Sequence, residues 1–161
     1  MTMIARNLPS LLAAGFLALA LPAAALAAGS SSSTTTGDSS ADENLGLAKT
    51  AIAQFKYDKA KEYLEKVLAA TPDSADALNL MGFTERKLGD PADSLTYYNK
   101  ALAQNPNHLG ANEYLGELYL EMKDVKKAEE RLAVLQQACG GTCEEYQELK
   151  EKIEKFKVAS N

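Results

Sequence analysis

The chain has 161 residues, with 17 Lys+Arg against 22 Asp+Glu for a net charge of −5, 46% hydrophobic residues, a single His and no Trp. The acidic balance argues against nucleic acid or an anionic membrane surface as the main partner, because both need a positive face. One His is too few for a His-rich metal site or a Ser-His-Asp triad with a second base, so neither a cofactor nor a metal is expected.

Residues 1–27 contain no acid and one base, Arg6. Ser10 to Leu21 forms an apolar run that falls short of the roughly 20 residues of a membrane span, and Pro22 ends it. Ala25-Leu26-Ala27 places small residues where a signal peptidase needs them. The segment is therefore expected to be a signal peptide cleaved after Ala27, giving a periplasmic or secreted protein. An uncleaved N-terminal anchor is the rival reading. No Cys follows the apolar run, which disfavours a lipoprotein. Cleavage leaves 16 Lys+Arg against 22 Asp+Glu, a net charge of −6, and no further stretch of spanning length. Residues 28–40, AGSSSSTTTGDSS, offer no side chain that buries much area, so they are expected to be a flexible Ser/Thr-rich linker.

From residue 41 the apolar pattern takes a helical period and recurs every 34 residues. With Ala41, Ala75 and Leu109 as position 1, position 8 is Ala48, Gly82 and Gly116, and position 20 is Ala60, Ser94 and Ala128. Position 7 is Leu47, Met81 and Leu115; position 24 is Leu64, Tyr98 and Leu132; position 27 is Val67, Ala101 and Leu135. Position 32 is Pro72, Pro106 and then Gly140. Each unit reads as helix, short turn, helix and a closing turn. Asp90 is expected to cap a helix with Pro91 in its first turn, and Asp124 to cap another. Thr142-Cys143-Glu144-Glu145 reads as a capping box opening a final helix, whose Tyr146, Leu149, Ile153 and Phe156 share one face. That face is expected to cover the open end of the third unit.

The small and bulky residues at these positions, with Gly89-Asp90 at a turn inside the unit, resemble the tetratricopeptide repeat family. The resemblance implies an all-α helical-repeat solenoid over residues 41–157: repeats 41–74, 75–108 and 109–142, then a capping helix at 143–157. It also implies a right-handed superhelical stack. The chain departs from the family pattern at Lys56, at Gly140, at position 11 (Ala51 and Glu85, with Tyr119 typical) and at position 4 (Asn44, Leu78, Asn112). In this family the first helix of each unit lines a concave groove. Carried over, the partner-binding groove comprises Lys49, Asn79, Phe83, Arg86, Lys87, Glu113, Tyr114, Glu117 and Glu121. Its middle is then basic and faces an acidic third repeat, with Phe83 and Tyr114 as anchors. The Lys-Asn clamp by which some members hold a C-terminal carboxylate is replaced by Leu45, Lys49 and Leu80.

Cys139 and Cys143 are the only cysteines. In an exported protein they are expected to form a disulfide across Gly140-Gly141, stapling the last helix to the third repeat. A redox role, with Cys143 at a helix N-terminus, and a metal role, short of ligands, stand as alternatives. His108 reads as an exposed turn residue. Glu113, Glu117 and Glu121 share one helical face and read as a solvated or partner-facing stripe. The function these residues support is a non-enzymatic adaptor or scaffold that binds a protein or peptide segment in its groove. A redox or metal-handling accessory and a self-associating scaffold are the alternatives.

Overall fold

A computed structural model describes residues 36–160, so the expected leader at 1–27 and residues 28–35 lie outside the described residues. Seven helices and no strand occur among the described residues: α1 Thr36–Ala53, α2 Tyr57–Ala70, α3 Ala75–Leu88, α4 Pro91–Gln104, α5 Leu109–Glu121, α6 Val125–Cys139 and α7 Glu144–Ala159. The first helix starts inside the stretch expected as linker: residues 36–40 are its opening turn rather than a tether.

The ends of the helices follow from local chemistry. Ser74, Asp90 and Asp124 each present a side-chain oxygen to backbone N–H groups at the starts of α3, α4 and α6. Pro91 sits in the first turn of α4, where its missing N–H costs nothing. His108 caps α5 instead of lying exposed. Its Nδ1 accepts from Ala111 N–H at 3.1 Å, so Nε2 carries the proton and donates to Asp76 at 2.9 Å. The expected capping box before α7 is absent. Cys143 is the N-cap and makes no side-chain cap, while the Thr142 hydroxyl donates to the Cys139 carbonyl. Gly140 and Gly141 both have positive φ, which turns the chain so that Thr142 faces back toward α6.

The three units share one backbone device. Position 15, between the two helices of each unit, has positive φ in Phe55 (57°), Gly89 (89°) and Lys123 (62°). The chain reverses there, and α1 packs on α2, α3 on α4 and α5 on α6.

The core forms layers between neighbouring units. Ala48, Leu64, Val67, Ala77 and Met81 fill the first. Leu78, Ala101 and Ala111, with Tyr98, Leu115 and Leu118, fill the second. Leu120, Ala128, Leu135, Leu149 and Ile153 fill the third, between α5, α6 and α7. The residues at positions 8, 20 and 27 therefore do what their size requires. Gly82 lets the Tyr98 ring approach so closely that a Cβ would lie 2.7 Å from it, and Gly116 does the same for Leu149, at 2.5 Å. The last helix covers the third unit with Leu149 and Ile153 buried and with Tyr146 and Phe156 packed beside them. Each layer exists only because a neighbour is present, as in any stacked repeat.

Candidate functional site: the concave face and its aromatic edge

Helices α1, α3 and α5 bring the expected groove residues together in three distinct ways. Phe83 of α3 and Tyr114 of α5 meet with ring centroids 5.1 Å apart, both half-buried. Lys87, one turn beyond Phe83, places its ammonium 5.1 Å from the Phe83 centroid, a cation–π contact. Lys49 and Lys87 are exposed, and no ion pair among the described residues engages either. Phe83, Tyr114 and Lys87 form a surface of aromatic and cationic character, while Lys49 lies with Asp76, Asn79 and Leu80.

Asn79, Arg86, Glu113 and Glu117 turn inward, whereas Glu121 stays half-exposed. Arg86 donates through Nη1 to Glu117 at 2.7 Å and through Nη2 and Nε to Glu121 at 2.7 and 3.0 Å. The Arg86 side chain is 10% exposed and that of Glu117 12%. This fork binds the second unit to the third rather than sitting in open solvent, and planar two-pronged contact is what guanidinium provides. Glu117 is also engaged by Lys152 of α7. Asn79 is buried at 6% exposure, its Oδ1 without a hydrogen-bond partner among the described residues.

Glu113 does not line the groove as a free carboxylate. It is 4% exposed, sealed under α7 with Glu148 and Lys152 facing it and Glu117 one turn along. Burial, the hydrogen bond shared with Glu148 and the charge of Glu117 push its pKa up to about 8, against the pull of Lys152. Glu148 moves the other way, lowered first by its hydrogen bond with Glu113 and then by Lys152. Glu113 thus holds the proton of the pair and donates to Glu148. Glu113, Glu117 and Glu148 converge within 4.8 Å, but the Lys152 ammonium sits against all three and supplies the balancing charge from within the chain.

Three partnerships escaped the sequence pattern. Glu85 at position 11 is buried and pairs with Lys61 of α2 at 2.8 Å. Asn112 at position 4 donates to the Pro106 and His108 carbonyls and accepts from Arg131. Phe55 continues the aromatic row outward, with ring centroids 6.4 Å from Tyr57, which in turn lies 6.4 Å from Phe83. Cys139, at the end of α6, and Cys143, capping α7, are disulfide-bonded with Cα atoms 5.8 Å apart, a separation normal for the bond.

Two models described as tetratricopeptide repeat match the chain, over residues 44–74 and 85–153. The chain is built of tetratricopeptide repeats. Among curated proteins it is 32% identical over 97 residues to the uncharacterized protein ycf37 of Pyropia yezoensis, a match covering 55% of this chain and 54% of that one. The chain thus spans about half the length of this relative. Among solved structures, PilF of Pseudomonas aeruginosa aligns with a TM-score of 0.69 at 22% identity, covering 78% of this chain and 55% of that one. The TPR2B domain of yeast Sti1, solved in its complex with pHsp70, aligns with a TM-score of 0.67 at 17% identity, covering 75% and 98%. At these identities the structural likeness establishes the fold. No helix of the described residues is long and apolar enough to cross a membrane.

Proposed function

We propose that this tetratricopeptide-repeat protein is an exported, non-enzymatic adaptor that holds a segment of another protein against the concave faces of α1, α3 and α5. The observation that carries the reading is the pairing of Phe83 with Tyr114 under Lys87. Half-buried aromatic rings beside a cation are the usual composition of a binding hot spot. The groups best suited to acid–base chemistry are committed elsewhere, which favours a binding role over catalysis. Glu113 is sealed beneath α7, and both nitrogens of His108 are spent on capping and on Asp76. The Sti1 domain was solved in complex with pHsp70, which makes such binding a reasonable use of the same fold.

The test compares the full chain with a Phe83→Ala, Lys87→Glu variant in pull-downs from envelope extract, with helicity checked by circular dichroism. Arg86 is left alone, because removing it would break the seam between the second and third units. Loss of the captured protein with helicity intact supports the groove; unchanged capture refutes it. The export element is tested separately by intact mass: a chain beginning at Ala28 supports it, and retention of residues 1–27 overturns it.

A further inference from the structure

Phe55 occupies the left-handed turn between the two helices of the first unit. The same turn carries Gly89 in the second unit and Lys123 in the third, one without a side chain and one that water solvates. The first unit alone sets an apolar ring there. That ring is 78% exposed, and its ring contact within the chain is an edge-on approach to Tyr57. The turn needs no aromatic, and the core gains little from this one.

Beside the ring lies a cleft of about 640 Å³ at the end of α1, the start of α2 and the end of α3. Its apolar lining includes Leu47, Ala51, Tyr57, Tyr63 and Leu88. Three of the five large hydrophobic side chains that the described residues expose, Leu47, Phe55 and Leu88, therefore gather at one place. Monomer surfaces seldom cluster them without use. The charges at the rim are balanced. Lys56 and Asp58 stand two residues apart where α2 begins. Lys56 contacts the neutral Gln54 side chain, and no ion pair among the described residues engages either residue. Lys59, the third charge of the rim, is satisfied by Glu62. An occupant of one sign would meet one of the two free charges and be repelled by the other. An exposed ring beside an apolar hole, and a free cation beside a free anion, instead complement themselves. Turned by a two-fold axis, each feature meets its opposite.

We infer that this surface is the contact of a two-fold homodimer, in which Phe55 of each copy enters the cleft of the other and Lys56 of each faces Asp58 of the other. The inference goes beyond the groove reading, because none of the expected groove residues lines the cleft. Exposed ion pairs add little affinity, so the apolar exchange supplies the strength and the charges fix the register. A contact confined to three helix ends belongs at the small, weak end of protein interfaces, and a dissociation constant of about 1–100 μM is expected. A dimer carries two grooves, which favours attachment to a partner present in several copies.

The experiment follows the mass of the protein in solution by sedimentation equilibrium. The wild type should pass from one chain to two as its concentration rises through about 1–100 μM. Phe55→Lys reproduces the residue that the third unit has at this turn. It should leave helicity and melting temperature level, read at a dilution where the wild type is itself monomeric, and weaken dimerisation at least about tenfold. Val158→Ser, which removes another exposed side chain on α7, should leave the dimer as it is. Lys56→Glu and Asp58→Lys each set like charges against one another at both contacts, so each variant alone should stay monomeric where the wild type is dimeric. Mixed in equal amounts they should recover dimers, read by energy transfer between two dyes, because every contact then joins opposite signs. A wild type that stays monomeric to about millimolar concentration would overturn the inference. So would a dimer that survives Phe55→Lys, a dimer lost in Val158→Ser, or a mixture of the two charge variants that stays monomeric.

Discussion

Replacing Glu113 with glutamine should remove most of the pH dependence of folding at the junction between the third repeat and α7. Glu113 is buried against Glu148 and Lys152 of α7 and Glu117 of α5, while Arg86 of α3 reaches the cluster through Glu117. Its pKa in the folded chain, about 8, lies above the ordinary value of 4.5. The unfolded chain therefore gives up this proton first as pH rises. Stability from the protonated form is complete below about 4.5 and is lost progressively up to about 8. Glu148 has the opposite sign: its pKa is depressed in the fold, so its contribution is present above the ordinary carboxylate range and is lost on acidification. Together they place the optimum just above the ordinary Glu pKa, with a decline toward alkaline pH.

One pKa unit corresponds to about 1.4 kcal/mol, so a rigid junction would lose on the order of 4–5 kcal/mol across that window. Opening of α7 caps the loss, since a helix at the end of a stack detaches before the rest; about 2 kcal/mol is the expected fall. The amide introduced by Glu113→Gln would keep a donor for Glu148 and cannot ionise. Urea denaturation followed by circular dichroism, in steps from about pH 5 to about pH 8, reads the difference. The wild type should weaken along the series and Glu113→Gln should stay nearly flat, crossing to become the more stable protein at the alkaline end. Parallel pH profiles for the two proteins would refute the assignment of the proton to Glu113.

Other contacts give sharper mechanical tests. Gly82→Ala puts a methyl 2.7 Å from the buried Tyr98 ring and should cost about 1–3 kcal/mol in thermal or urea unfolding. Gly46→Ala, with nothing within 4 Å of the added carbon, should instead stabilise α1 by up to about 1 kcal/mol. Arg86→Ala leaves Glu117 with Lys152 as its remaining cation and frees the half-exposed Glu121, and should cost about 1–3 kcal/mol, measured as a shift in urea midpoint. Reducing the Cys139–Cys143 bond should accelerate amide exchange in α7 more than in α3 and α4, at a cost of about 2 kcal/mol for so short a loop. Uniform acceleration through all helices would contradict a local staple.

The repeat itself was legible because its signals are local and recur. Ala48, Gly82 and Gly116 fall at one position, Asp90 and Asp124 at another, and each is interpretable without knowing its neighbours. Glu113 was not legible as a buried acid. On its own helix it aligns with Glu117 and Glu121 as a polar stripe, and only the docking of α7 supplies Glu148 and Lys152 from far along the chain. Asn79 fails for a similar reason, because the packing of α5 over it closes a site that α3 alone leaves open. Thr142 carried a genuine capping signal that lost to the two positive-φ glycines before it. Phe55 could have been found. Aligning it with Gly89 and Lys123 shows an aromatic at a left-handed turn position, which no packing rule requires.

Most of the charged residues that resembled a groove's binding surface prove to be the joints of the stack. Arg86 ties the second unit to the third through Glu117 and Glu121; Lys152 ties α7 to the same Glu117; Lys61 of the first unit reaches Glu85 of the second. A stacked repeat buries apolar area only between neighbours, so ion pairs at each junction with at least one partner buried add register: a slipped unit would strand a charge. Those charges are then unavailable to a partner without opening a junction. Of the charged groove residues, Lys49 and Lys87 are the two that no ion pair among the described residues engages, with Lys87 over the Phe83 ring and Tyr114 against it. On the adaptor reading proposed above, binding that uses Lys87 should weaken with salt, while folding stability, resting on the joints between units, responds much less.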